Sequence, residues 1–292
     1  MKRRRESQES RPSQESKREI LNRQLDEVDA ILSADKAEQD LFIDTRIEEL
    51  SKNTETGQIG YVGNRSFGGF IGPETGIIRS LFVEPIYLDD SSIYRDLIES
   101  LAHYKKVADP EQFNIGSVIP FAVQNALTNF FGNPVPTKNT GTRNREYLLD
   151  RSVVGKAQER ISISEYRGKR MGVCAEKSAV AQNLFQFLGM ESILLVGGVK
   201  RDEGGDSHHL YQIVRYKDRA FLYDSSNPKM ELNAKGELTK YGPAMYPITE
   251  EQVQYLLEGK EVTVKSSSTR LNETGEAIEI DASRTYTGPT PK

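Results

Sequence analysis

A single cysteine and three histidines limit what nucleophilic chemistry at sulfur this chain can perform. The cysteine, Cys174, sits in Arg170-Met171-Gly172-Val173-Cys174-Ala175-Glu176, directly ahead of an apolar stretch. Ala181, Leu184, Phe185 and Leu188 follow at i, i+3, i+4 and i+7, the spacing of one buried helix face, and Gly189 stands where a helix end favours positive φ. The pattern predicts Cys174 in the first turn of a packed helix. Unpaired amides at a helix start favour an anion, and Arg167, Lys169 and Arg170 add positive charge, so a thiol there ionises more readily. A lone cysteine is more often an inert buried thiol. A nucleophile needs a base to take its proton and a third group to hold the base.

Two of the three histidines, His208 and His209, open a segment that reads as a strand (HHLYQIVRY), and Asp224 closes the next one (AFLYD). Lys217-Asp218 lies between, so the two form a hairpin. Residues directly opposed across a hairpin point to the same face, and so do alternate residues along each strand. With a turn of two or four residues, Tyr211 opposes Asp224 and His209 shares that face. With three, His208 takes its place. No glycine is present for the left-handed position of a three-residue turn, which favours His209. His103 falls off the apolar stripe of its own helix and reads as a surface residue.

The order of Gly-Val-Cys at a helix start, an apolar helix ending in Leu-Gly, a strand, and a His leading into a hairpin that ends in Asp resembles the transglutaminase-like superfamily of papain-fold enzymes. The match covers residues 170–224. The resemblance implies an α+β fold, with the nucleophile helix packed on an antiparallel sheet in a papain-like core. It also implies Cys174 as nucleophile, His209 as general base and acid, and Asp224 as the group that orients the imidazole. The family's usual tryptophan two residues after the histidine is here Tyr211, and the chain has no Trp. That substitution leaves open an inactive transglutaminase-like binding module. Arg170-x-Gly172-Val173-Cys174-x-Glu176 is also similar to the nucleophile motif of arylamine N-acetyltransferases. Those enzymes carry the cysteine nearer the N-terminus and follow the triad with a long barrel and lid region.

The implied function is acyl transfer from an amide, a peptide bond or a Gln side chain, through an acyl-thioester on Cys174. Hydrolysis or transfer to an amine follows, on a protein or peptide substrate and without a cofactor. The Cys174 backbone N–H is one oxyanion donor. Gln124 and Asn125, amides on an upstream helix, are weaker candidates for the second.

Elsewhere the chain is organised to hold this segment. Residues 1–17 have the composition of a disordered tail. Residues 18–55 read as a helical extension of two amphipathic helices, which pack on the following domain or bind a partner protein. The transglutaminase-like domain is expected over 56–262, with helices at 91–107 and 116–131, Pro120 fitting only near the first turn of the second. Residues 57–73 are glycine-rich without the spacing of a phosphate loop. A short strand is expected at 77–83, a loop at 132–145 and weak helical signals at 146–163. Thr249-Glu250-Glu251-Gln252 is a capping box before a short helix, and 263–292 reads as a polar tail.

A net charge of −4 gives no field that draws the chain to nucleic acid or an anionic membrane. There is no metal-ligand spacing, disulfide framework, signal-peptide pattern or apolar run long enough to cross a bilayer. A reducing compartment, the cytoplasm, is the expected location.

Overall fold

The computed structural model describes residues 14–52, 86–87, 90–109, 113–132, 161–200, 206–217, 219–232, 238–271 and 277–289. The expectations for 57–73 and 77–83, and nearly all of those for 132–145 and 146–163, lie outside them. Among the described residues, five helices carry the front of the chain: α1 (Gln14–Ile31), α2 (Lys36–Lys52), α3 (Ser92–Val107), α4 (Ile115–Phe131) and α5 (Cys174–Phe187). A parallel pair of short strands, β1 (Ile86–Tyr87) and β2 (Ile161–Ser162), and a 3-10 turn, Ile163–Tyr166, come before α5. Then follow β3 (Glu191–Lys200), β4 (Asp206–Tyr216), β5 (Arg219–Leu232), β6 (Leu238–Ile248), α6 (Glu250–Leu257), β7 (Glu261–Leu271) and β8 (Ala277–Thr287). The architecture is α+β.

Six strands form one antiparallel sheet in the order β6-β5-β4-β3-β8-β7. The sheet curls until its two edges, β6 and β7, approach one another. Alternation along the strands sends their side chains into two cores. Leu210, Val214 and Tyr223 join the helices in one, with Leu184, Phe185 and Leu188 of α5, Val123 and Leu127 of α4, and Leu97 and Leu101 of α3. Leu195, Tyr211, Ile213, Leu222, Tyr246 and Tyr286 fill the other, beneath Val253 and Leu256 of α6. Each fully buried apolar side chain contributes about 1.5–3 kcal/mol.

Leu25 and Val28 of α1, Leu32 just after it, and Ile43 and Ile47 of α2 belong to the helical core. Of the two roles open to these helices, the structure displays packing on the domain. Helix α1 begins at Gln14, inside the stretch read as a tail. Pro120 is the sixth residue of α4, slightly past the first turn. The end of the chain differs more. Residues 263–292 read as a polar tail, yet most of them lie in β7 and β8, which pair over eleven registered positions. Strand β8 also inserts beside β3. Polar residues such as Thr263 and Thr285, whose hydroxyls bond each other across the ribbon, alternate there with the buried Val262, Val264 and Tyr286.

Candidate active site

Helix α5 starts where the sequence places it, with Cys174 as its first residue. Gly172 lies so close to α4 that a Cβ there would fall 2.3 Å from the Phe131 ring, so only glycine fits. Gly168 and Arg170 both have positive φ, and their N–H groups donate to the carbonyls of Phe130 (2.7 Å) and Phe131 (3.0 Å). The approach to the cysteine is thereby bonded to the open carbonyl end of α4. Glu176 is fully buried and accepts the Val173 N–H at 3.0 Å, closing the first turn around Cys174. At the other end, the N–H groups of Gly189 and Met190 donate to Gln186 and Phe185, the pairing of a Schellman motif, with Gly189 at φ +76°.

Buried polar contacts fix the depth of α5 on the sheet. Ser178 Oγ donates to the Leu210 carbonyl at 2.9 Å and lies 3.1 Å from Ser225 Oγ. Gln212 donates to the Ser178 carbonyl, and Gln182 to the Ser192 carbonyl at 3.2 Å. Breaking any one of these would leave a buried polar group unsatisfied, at a cost of about 1–3 kcal/mol.

The β4–β5 hairpin turns just after Tyr216, which registers with Arg219 as Gln212 does with Tyr223. The same register carried one step further sets Tyr211 against Asp224, so His209 shares the face of Asp224. His209 Nε2 lies 2.8 Å from Asp224 Oδ2, with Asp224 fully buried and His209 nearly so. The Cys174 sulfur lies beside the ring and favours its protonated form. With Nε2 held by the carboxylate, Nδ1 is the nitrogen left for the thiol. Sulfur, imidazole and carboxylate therefore stand in sequence, the half-buried Cys174 at the outer end.

Asp224 is held by more than the imidazole. Its Oδ1 accepts the N–H groups of Ser226 and Asn227, each at 3.1 Å. These are reachable because β5 bulges here: between Asp224 and Lys229 it advances five residues while β6 advances two, from Ala244 to Gly242. Oδ2 accepts Asn227 Nδ2 at 2.9 Å and the Tyr286 hydroxyl at 2.8 Å, beside the imidazole. Asn227 Nδ2 also lies 3.0 Å from His209 Nε2. Burial opposes the Asp224 charge, but the imidazolium, the nearby Arg284 and these donors overcome it and hold the carboxyl far below the usual range. Burial likewise opposes charge on His209. Asp224 and the Cys174 sulfur outweigh it, so the ring stays protonated well above neutrality.

The structure thus brings Cys174, His209 and Asp224 together. His208 precedes His209 in β4, registered with Gly198. His103 is exposed on α3, away from this site. Gln124 accepts from the Tyr223 hydroxyl (3.1 Å) and donates to the Ser225 carbonyl (3.4 Å), while Asn125 bonds Tyr104 and Ser100. Both amides are committed to packing. Sequence reasoning missed Asn227, Arg284 and Tyr286. Asn227 follows Asp224 by three residues, a spacing at which an Asx-type turn was legible. Nothing local marks Arg284 or Tyr286, whose contacts depend on long-range strand pairing.

Among the described residues no group of side chains has the makings of a metal site, and no helix is long and apolar enough to cross a membrane. Comparison with protein-family models, curated proteins and solved structures found no match.

Proposed function

We propose that the chain is a cysteine-nucleophile acyl-transfer enzyme of transglutaminase-like, papain-fold type, acting on an amide through Cys174, His209 and Asp224. The observation that carries this is the buried His209 imidazole, 2.8 Å from the fully buried Asp224 carboxylate on one side and beside the Cys174 sulfur on the other. A carboxylate that keeps the ring charged supplies an imidazolium beside the sulfur, and a thiolate is the attacking form.

In the first step the Cys174 thiolate attacks the amide carbonyl carbon, and the new C–S bond forms as the carbonyl π pair moves to oxygen. The Cys174 N–H, at the first residue of α5, is free to donate to that oxyanion. His209 then gives its Nδ1 proton to the leaving amine as the C–N bond breaks, and an acyl-thioester remains. In the second step the neutral ring takes a proton from water or an amine as that nucleophile attacks. The thiolate leaves, and the product is an acid or a new amide. Access of water or amine to the thioester decides between hydrolysis and transfer.

A second possibility is acetyl transfer of the arylamine N-acetyltransferase kind. It gains from β7 and β8, which give the triad a strand-rich C-terminal region where the sequence reads as tail.

The test is intact-mass analysis after acid quench with three acyl donors: an N-protected glutamine peptide with hydroxylamine, a peptide anilide, and acetyl-coenzyme A. The amide-acting enzyme forms a Cys174-dependent hydroxamate or free aniline, both lost in Cys174→Ala. Acetylation of Cys174 by the thioester alone would instead favour the acetyltransferase. No adduct or product with any donor would count against both.

A further inference from the structure

We propose that Tyr286 and Arg284 of β8 are positioning residues of this site, holding Asp224 in line with His209, so that the C-terminal strand is a working part of the catalytic apparatus. The inference takes its functional meaning from the acyl-transfer proposal, but its geometry stands independently.

Strand β8 reaches Asp224 because of how it enters the sheet. Val199 of β3 registers with Tyr286 and Gly198 with Thr287. Gly197, the partner of His209 across β3 and β4, makes room for it, since a Cβ there would lie 1.9 Å from the Thr287 carbonyl oxygen. The Tyr211 hydroxyl donates to that same oxygen at 2.9 Å, tying the strand that carries His209 to the end of β8. With β8 fixed, the fully buried Tyr286 ring stacks obliquely on Tyr211, centroids 5.0 Å apart, and its hydroxyl meets Asp224 Oδ2 at 2.8 Å. Arg284, two residues earlier on the same face, donates to the Asn227 carbonyl and brings Nη1 to 4.0 Å from Asp224 Oδ2.

The charged and titratable groups facing Asp224 are His209 and Tyr211 from β4, Tyr246 from β6, and Arg284 and Tyr286 from β8. Cys174 acts through His209. Burial and the neighbouring carboxylate both hold the Tyr286 hydroxyl protonated, so it is a permanent donor. Donation to Oδ2 from β8 restrains the carboxylate from rotating away from the imidazole. Without it, Asp224 keeps the contacts of its own bulge and of His209 and the more distant Arg284, and protonates more easily.

The experiment follows the downfield Nε2–H proton resonance of His209 by NMR, assigned by its loss in His209→Ala, as pH is lowered. The proteins compared are wild type, Tyr286→Phe, Arg284→Gln and the double variant. Tyr94→Phe is the control, because Tyr94 is another buried tyrosine, packed on Phe187 and remote from Asp224. Circular dichroism at pH 7 checks each fold. Wild type and Tyr94→Phe keep the resonance to the lowest pH at which they stay folded. Tyr286→Phe loses it about one pH unit higher, and the double variant about two, since a bond to a charged group is worth about one to two units. A structural role for these residues would lower thermal stability without moving this edge. Equal persistence in wild type and the variants would overturn the assignment, and if the double variant fails to fold, the single variants decide. Alkylation of Cys174 by iodoacetamide, run in parallel, separates the two proposals. An inert wild-type thiol with the predicted resonance shift would sink the acyl-transfer function and leave the Tyr286 assignment standing. A reactive thiol without the shift would do the reverse.

Discussion

Replacing Asp224 with asparagine tests whether the carboxylate's charge, and not merely its shape, organises the site. Two N–H donors meet Oδ1, while Asn227, Tyr286 and His209 meet Oδ2. An asparagine amide must turn its NH2 toward one of these groups. At the Oδ1 position it faces the Ser226 and Asn227 amides, and at the Oδ2 position it faces the imidazole N–H. Either way donor meets donor, and His209 and Arg284 lose their counter-charge. Asp224 is wholly buried and His209 nearly so, so solvent screens little of the effect. Breaking a buried pair by removing one partner costs about 3–5 kcal/mol. At 1.36 kcal/mol per pH unit, a comparable loss on the imidazolium lowers its titration by about two to four units. Asp224→Asn is therefore expected to lose about 3–5 kcal/mol in urea unfolding at pH 7. His209 should then titrate near or below neutrality in a 15N NMR pH series, where the wild-type ring stays charged. A loss under about 1 kcal/mol with His209 still charged above pH 8 would refute the reasoning.

The pair also sets a stability window. Asp224 is depressed on folding, so its contribution is present above its unfolded value of about 4 and is lost as pH falls below it. His209 is raised, so its contribution is full below about 6.5 and declines as pH rises toward its folded value. The pair's share of unfolding free energy should peak between these limits, and the wild type minus His209→Ala difference should shrink from pH 6 to pH 9. Lys177 behaves oppositely: burial lowers it to about 7, so below that pH the folded state must carry a buried charge. The stability of Lys177→Met relative to wild type should be greater at pH 6 than at pH 9, measured by urea titration at each. Gly197→Ala drives a methyl into the Thr287 carbonyl. It should cost about 1–3 kcal/mol and lower the Cys174 alkylation rate, because β8 must move. An unchanged melting temperature would argue against the tight β3–β8 approach.

Much of the site was legible because its determinants are local. The helix start at Cys174 follows from four apolar residues at helical spacing and a closing glycine. The choice of His209 follows from the parity of one tight hairpin, and the register Tyr216 to Arg219 is the even-numbered turn that parity requires. Less local features were hidden. Strands β7 and β8 read as tail because they are rich in Ser, Thr and charged residues, while the residues that dock β8, Tyr286 and Gly197, make their contacts across a long stretch of chain. The bulge after Asp224 leaves no periodic mark, so Asn227 was not singled out. Gln124 is a candidate oxyanion donor by residue type alone, and its two packing bonds become visible only when α4 meets β5.

The pH dependence of Cys174 alkylation by iodoacetamide, compared among wild type, His209→Ala and His208→Ala, tests the central claim most directly. Cys174 is expected to be alkylated readily at pH 7, with His209→Ala slowing the reaction markedly and His208→Ala leaving it unchanged. A thiol that is inert, or that reacts alike in all three proteins, would contradict the assignment of Cys174 as a nucleophile.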